Sequence, residues 1–187
     1  MSILLTILTI FSSFLLNLEQ KTLQSDFTVT VAEEVNAPMN YPGTITMQGK
    51  CFALTMFGVE AAYDGKTLYM YNAEVDELTL SNPTEQELLE ANPFLYAKAL
   101  VDVCNITERA INNGDQTLVT LTPKDQSIGI KRFTLKIKNT NLMPLQVEIK
   151  EGKQTTTLKL TKPAFVTTKQ IYTITPDKDT YVNDMRY

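Results

Sequence analysis

The sequence predicts an α+β fold in which one antiparallel sheet wraps around an apolar interior that helices cover. Apolar and polar residues alternate along most of the chain from residue 27 onward, which is typical of strands with one buried face. Asp64-Gly65 and Asn113-Gly114 are turn dipeptides beside strand-like segments. The apolar run after Asn92-Pro93 has helical spacing and could cover such a sheet. With 187 residues and 43% hydrophobic content, the chain fits a single domain, 1–187.

The first segment, residues 2–18, is uncharged and rich in Ile, Leu and Phe. It is short for a membrane span, and it lacks the basic start and small-residue cleavage site of a signal peptide. Its polar residues recur at steps of three and four, and its apolar residues mark the opposite stripe, namely Leu4, Leu8, Phe11, Leu15 and Leu18. We therefore favour an amphipathic helix of the folded domain over a signal remnant. An export signal upstream of this chain is compatible with that interpretation.

The strands follow in order along the rest of the chain. Period-two alternation or apolar runs predict strands over residues 27–31, 44–48, 51–57, 68–72, 75–80, 117–122, 131–138, 143–150 and 155–160. The segments over 131–160 are joined by short turns at Asn139–Asn141 and Glu151-Gly152. Successive strands with short connections and one apolar side predict an antiparallel meander with one solvated face.

Helices are predicted at two further places. Residues 84–90 follow Pro83 and carry acidic residues in the first turn, which suits a helix start. Residues 94–103 place Phe94, Leu95, Ala97 and Leu100 at helical spacing. Glu85, Glu87 and Glu90 form an acidic patch on the first of these helices. We interpret that patch as a solvated face, with a docking surface for a basic partner as the alternative.

The composition argues against several classes of function. The chain has no histidine, so it lacks Ser-His and Cys-His nucleophile pairs, and we expect neither an enzyme nor a cofactor. A net charge of −4 without a basic block argues against nucleic acid as a partner. Cys51 and Cys104 lack the spacing of a redox dipeptide or a thiolate zinc site. They are either a disulfide or two buried small hydrophobes.

Six short motifs occur in order over nearly the whole chain, at the segments 23–31, 64–72, 92–94, 121–124 with 132–135, 172–176 and 182–186. Their residues and their order resemble the LolA family of periplasmic outer-membrane lipoprotein carriers. The clearest is Asp-Gly-Lys-Thr-Leu-Tyr-Met-Tyr-Asn at 64–72, which is similar to that family's hairpin. The segment Asn92-Pro93-Phe94 is similar to the start of its lid helix.

The resemblance implies a single-domain open (half) antiparallel β-barrel, wrapped around an N-terminal helix and a short helical lid. It further implies an apolar cavity for lipoprotein acyl chains, a periplasmic location, and partners in an inner-membrane ABC transporter and an outer-membrane receptor. The carrier itself would perform no chemistry, and we expect a monomer. The family's lid-latching arginine is missing here, because the corresponding stretch is Met47-Gln-Gly-Lys-Cys-Phe52. Lys50 is a possible substitute, although its ammonium lacks the planar fork of arginine.

The candidate cavity residues are inward-facing apolar side chains of the predicted sheet and lid. They are Phe27, Val29, Leu54, Met56, Leu68, Met70, Phe133, Leu135 and Val147 from the strands, with Leu95 and Leu100 from the lid. Residues of these types are more often ordinary core than ligand contacts. Methionine adapts to irregular ligands, which favours Met56 and Met70. Tyr69 and Tyr71 lie on the other side of their strand and are predicted to pack across strands.

A different function on the same half-barrel is also consistent with the sequence. A periplasmic sensor or scaffold could bind a peptide segment by adding it as a strand to an open sheet edge.

Overall fold

A computed structural model describes residues 9–33, 37–167, 170 and 172–186. The part of the predicted first helix over residues 2–8, including Leu4 and Leu8, lies outside the described residues.

The described residues form one large sheet and three α-helices. The helices are α1 (Ile10–Gln20), α2 (Glu85–Ala91) and α3 (Pro93–Ala99). The strands are β1 (Thr22–Ala32), β2 (Met39–Gln48), β3 (Cys51–Met56), β4 (Val59–Tyr63), β5 (Leu68–Asn72), β6 (Glu77–Ser81), β7 (Cys104–Ile111), β8 (Gln116–Pro123), β9 (Arg132–Lys138), β10 (Met143–Glu151), β11 (Gln154–Val166) and β12 (Tyr181–Asp184).

The sheet is open, with the strand order β12-β6-β5-β4-β3-β2-β1-β11-β10-β9-β8-β7. Neighbouring strands from β6 to β7 pair antiparallel, as the alternation predicts. The edge strand β12 pairs in parallel with β6, with Val182 opposite Leu78. The predicted α+β open half-barrel is confirmed, and the sheet is mixed because of this one parallel pair. Parallel pairing arises because β12 comes from the distant C-terminal segment, not from a hairpin partner of β6.

One face of the sheet is apolar and holds the core. Directly paired residues on neighbouring strands share a face, so a row can be followed from strand to strand. One row runs through Leu23, Met47, Phe52, Tyr63 and Leu68, and all of these side chains are buried. On the other half of the sheet, a matching row consists of Leu158, Val147, Leu135 and Val119. We call the apolar face that carries both rows the inner face.

Helix α1 packs against the inner face, as expected for an amphipathic helix of the folded domain. Phe11, Phe14 and Leu18 are buried in the same cluster as the inner-face residues. The helix starts at Thr9, whose side chain accepts a hydrogen bond from the Ser12 N–H. Its first N–H groups, those of Ile10 and Phe11, donate to the Glu108 carboxylate at 3.2 Å each. A negative charge is favourable at this end of a helix.

The Asp64-Gly65 turn joins β4 to β5, as predicted. Gly65 has a φ of +101°, a conformation that side-chain-bearing residues rarely adopt. The Asp64 carboxylate accepts hydrogen bonds from the backbone N–H groups of Lys66 and Thr67 at 2.8 Å each, and from the Tyr69 hydroxyl at 3.1 Å. Tyr69 pairs with Ala62 and Leu80 on the outer face, opposite Met70, in agreement with its predicted packing role.

Several boundaries differ from the predictions. The second lid helix ends at Ala99, not near residue 103, because the chain turns there and enters β7 at Cys104. Val75 and Asp76 belong to the turn between β5 and β6 instead of a strand. Strand β7 was not predicted, because most of its residues are exposed and lack an apolar face.

Candidate functional site

A cavity of about 210 Å³ lies between the inner face and the two lid helices. Most of its wall is apolar. It is lined by Phe27, Val29, Ile45, Leu54, Met56, Val147, Ile149, Thr156 and Leu158 of the sheet, and by Leu89, Glu90, Ala91, Pro93 and Tyr96 of the lid. We call the half of the inner face that lines this cavity the open end.

The other half of the inner face is filled, and we call it the packed end. Phe14 of α1 and Phe94 of α3 meet there with ring centroids 5.9 Å apart. Beneath them lie Leu23, Met47 and Phe52, and each of these side chains is fully buried. Closely packed, fully buried side chains leave no room for a ligand. On the described inner face, the cavity under the helices therefore lies at the open end.

Helix α3 is anchored in the core. Asn92, which is 0% exposed, caps the helix by accepting hydrogen bonds from the N–H groups of Phe94 at 3.0 Å and Leu95 at 3.4 Å. Its side-chain amide donates to the Met47 sulfur at 3.6 Å. Ala97 is also buried, so α3 cannot leave the sheet without exposing core residues.

Helix α2 is held much more loosely. None of its side chains is buried, although Leu89 and Ala91 line the cavity. Its start is stabilised locally, because Thr84 and Glu87 form a reciprocal capping box. The carboxylate of Glu87 accepts from the Thr84 N–H at 2.7 Å. The lid thus consists of a fixed half, α3, and a loosely packed half, α2.

The structure brings together some of the predicted cavity residues. Phe27, Val29, Leu54, Met56 and Val147 line the cavity. Leu68, Phe133 and Leu135 lie on the same face but are buried in the core outside the cavity, and the Phe133 ring packs edge-on against Tyr96 at 6.3 Å. From the lid, Leu100 is buried and Leu95 is partly buried against the core. Neither lines the cavity, whereas Pro93 and Tyr96 of the same helix do.

Met70 is the predicted residue that lies farthest from expectation. It shares the inner face, since it pairs with Ala61 and Thr79, but its side chain is 44% exposed. The helices do not extend far enough to cover this part of β5.

The sequence analysis missed cavity residues on both walls. Ile149 and Leu158 belong to predicted strands and have the same alternation as Val147, so strand register would have identified them. Tyr96 and Leu89 depend on how the lid lies over the sheet, which no local pattern specifies. Glu90 was interpreted as part of a solvated patch, yet it also borders the cavity.

Contacts other than an arginine latch hold the lid in the described part of the chain. Lys50 lies in the exposed turn after β2, where its side chain is near Gly65. The apolar anchor of α3 is supplemented by an ion pair between Lys98 of α3 and Glu19 of α1, both solvent-exposed. Met47, in the stretch that lacks the arginine, reaches the lid through Asn92.

Both cysteines are free thiols. Cys51 is half-buried and Cys104 is buried, and in each case burial raises the pKa of the thiol above its ordinary value. Within the described ranges there is no group of three or more Cys, Asp or Glu side chains that could hold a metal ion. None of the described helices has the length and hydropathy needed to span a membrane.

Comparison with known proteins gives three findings. The family described as outer membrane lipoprotein carrier protein LolA matches the sequence over residues 62–175. An uncharacterized conserved protein from Thermus thermophilus has a similar fold, with a TM-score of 0.61 at 14% identity, covering 94% of this chain and 99% of that chain. No curated protein sequence matches the chain.

Two further solved structures resemble the chain more weakly. LprF from Mycobacterium bovis gives a TM-score of 0.47 at 14% identity, covering 90% of this chain and 95% of that chain. A LolA superfamily protein from Nitrosomonas europaea gives 0.38 at 13% identity, covering 81% and 91%.

Proposed function

This chain belongs to the LolA family of outer membrane lipoprotein carrier proteins, and we propose that it is a periplasmic carrier that holds lipoprotein acyl chains in the cavity at its open end. The observation that carries the proposal is the cavity itself, an apolar space under a loosely packed helix. Burying one methylene group is worth about 0.8 kcal/mol, so even part of an acyl chain provides substantial binding energy.

In this proposal, the acyl chain contacts the five predicted residues that line the cavity and their neighbours on the same wall. These residues are Phe27, Val29, Leu54, Met56, Val147, Ile45, Ile149 and Leu158. A volume of about 210 Å³ is below the roughly 300–1,000 Å³ of most ligand pockets. A whole chain therefore enters only if the space enlarges.

Helix α2 is the element that can enlarge it. Helix α2 contributes no buried side chain of its own to the core, whereas moving α3 would expose its buried Phe94 and Ala97 and the capping Asn92. Without cargo, Leu89 and Ala91 of α2 partly occupy the space that cargo would take. Cargo then replaces contacts within the protein, which keeps the affinity moderate and allows release.

The proposed transport route follows from the family. The carrier would accept cargo from an inner-membrane ABC transporter and deliver it to an outer-membrane receptor. It would act as a monomer, without ATP, cofactor or catalysis.

Saturable uptake of a fluorescent acyl probe tests the proposal, together with mass spectrometry of organic extracts of the purified protein. Val29→Phe places a larger side chain in the cavity, so we expect probe affinity to fall about tenfold or more, the equivalent of roughly two lost methylene contacts. Val75→Phe is the matched control, because Val75 lies in an exposed turn, and it should bind the probe normally. Failure of the unmodified protein to bind the probe saturably would contradict the proposal.

A second candidate function is peptide binding by strand addition at the edge of β7. The residues from Asn105 to Ala110 on this edge strand are exposed, and exposed edges can pair with an extended segment. Peptide binding that is unchanged in Val29→Phe would favour this function over carriage.

A further inference from the structure

An exposed apolar patch lies at the rim of the open end. Phe57, at the tip of the β3–β4 hairpin, is 58% exposed, and Met39 at the start of β2 is 53% exposed. Between them lies Tyr41, whose ring centroid is 4.3 Å from that of Phe57. We call these three residues the hairpin-tip patch.

The backbone at Phe57 is unfavourable for a phenylalanine. The two-residue turn Phe57-Gly58 has φ values of +59° and +75°, the left-handed conformation of a type I′ turn. Asn-Gly or Asp-Gly is strongly preferred at such turns, and a bulky residue in the first position is rare. The ring packs on Tyr41 but is 58% exposed, so burial in the core does not compensate for this strain. A strained and exposed aromatic residue is a candidate for function.

The patch is continuous with the cavity. Tyr41 is the cross-strand partner of Val29, and Phe57 directly follows Met56. Val29 and Met56 both line the cavity. An open groove of about 840 Å³ is lined by Tyr41 and Phe57 and also by Phe27 and Met56, the residues that it shares with the cavity. An apolar surface therefore leads from the tip toward the interior.

We propose that the hairpin-tip patch inserts into the interface of a lipid bilayer of low net charge, so that the protein docks on a membrane with its open end. Passage of an acyl chain between bilayer and cavity at this point would rest on the carrier function proposed above. The docking itself does not depend on it.

The chemistry of the patch favours a bilayer over a protein partner. Its one side-chain hydroxyl, that of Tyr41, already donates to the Met39 sulfur at 3.0 Å. Protein interfaces usually contain about one hydrogen bond per 100–200 Å², and this patch offers no unused side-chain donor. Hydrocarbon requires none, and aromatic residues are enriched at membrane interfaces.

Charge determines the kind of bilayer. Asp26 and Glu60 line the groove beside the tip, and the chain carries a net charge of −4. Anionic headgroups would repel this surface, because their negative potential attracts cations and repels carboxylates. A zwitterionic surface would not.

Flotation with vesicles tests the proposal. We expect the protein to float with vesicles of phosphatidylcholine and phosphatidylethanolamine, and less with vesicles that contain phosphatidylglycerol.

Phe57→Asn introduces a residue that the left-handed turn prefers, so the fold is retained while the apolar tip is lost. This variant should bind zwitterionic vesicles about tenfold more weakly, as expected for one lost aromatic side chain. Leu16→Gln, which removes a 46% exposed residue from α1, is the control and should bind normally.

A fluorescence measurement gives an independent result. The chain contains no tryptophan, so Phe57→Trp provides a single reporter, whose emission should shift to shorter wavelength on zwitterionic vesicles. Leu16→Trp should show no shift.

The proposal is overturned if the unmodified protein stays off zwitterionic vesicles, prefers anionic ones, or binds equally well after Phe57→Asn. The patch would then be assigned to a protein partner. Val29→Phe should still float, which separates failure of docking from failure of carriage.

Discussion

The packed end and the open end of the inner face have the same alternating sequence pattern but different contents. At the packed end, Phe14 and Phe94 from two helices meet above Phe52 and exclude solvent and ligand. At the open end, Val29, Leu54 and Val147 face a cavity that is covered by the weakly held α2 and by the first residues of α3. The difference shows that the helices, and not the sheet, decide which part of an apolar face becomes core and which part becomes a site.

The largest expected effect is on the free energy of unfolding, which side-chain truncation should lower more in α3 than in α2. Phe94→Ala should lower the free energy of unfolding by about 3–5 kcal/mol, because it removes a fully buried ring from the packed end. Leu89→Ala on α2 should cost less than about 1 kcal/mol, since Leu89 is only partly buried and borders empty space. Denaturant unfolding measures both. Equal losses would contradict the assignment of one fixed and one loose half of the lid.

Substitutions at the two helix caps test the same difference between the anchored α3 and the loosely packed α2. Asn92→Ala removes a buried cap and a contact to Met47, and should lower global stability by about 2 kcal/mol. Thr84→Ala removes an exposed cap and should cost about 1 kcal/mol or less. Hydrogen exchange should show faster exchange confined to α2 in Thr84→Ala, while Asn92→Ala affects the core. A global loss from Thr84→Ala would show that α2 is part of the folding core.

A smaller effect concerns the ion pair that joins the two helices of the packed end. Lys98 and Glu19 are both solvent-exposed, so their coupling in a double-mutant cycle should be about 0–1 kcal/mol and should shrink with added salt. The variants Lys98→Ala, Glu19→Ala and the double variant provide the cycle. A coupling well above that range would mean that a charged latch, and not the apolar anchor, holds α3.

The smallest effect is a pH dependence at the β4–β5 turn. Burial opposes ionisation of Asp64, but hydrogen bonds from Thr67, Lys66 and Tyr69 outweigh it and hold its pKa below the ordinary value of 3.8. Because the pKa is lower in the folded state, the stabilisation is present above about pH 4 and is lost as the pH falls through the folded-state pKa. In thermal unfolding, the protein should be more stable than Asp64→Asn at neutral pH, and the difference should vanish in acid. A stability difference that grows as the pH falls would contradict this prediction, because it would mean that folding raises the pKa of Asp64.

Much of the fold could be predicted because its signals are local. The Asp64-Gly65 turn requires a positive φ, and the alternation at 131–138 follows from one buried face; both appear as predicted. The family resemblance is confirmed by the match over residues 62–175. Strand β12 was not predicted, because its parallel pairing with β6 joins segments about a hundred residues apart and leaves no local pattern.

The site was predicted only in part, for a related reason. Alternation identifies which residues face inward, and Val29 and Val147 do line the cavity. It does not indicate where the helices end. Phe133 is covered by Tyr96 and is core, whereas Met70 lies beyond the helices and is exposed, although both have the same inward parity. The distinction between core, cavity and surface is a property of tertiary packing.

Peptide-resolved hydrogen exchange, with and without saturating palmitic acid, tests the central claim most directly. If the open end takes up an acyl chain by displacing its loosely held cover, exchange in α2 (Glu85–Ala91) should change on addition of the fatty acid, while α3 (Pro93–Ala99) keeps its protection. Unchanged exchange in α2, or loss of protection in α3 together with the packed end, would contradict the account.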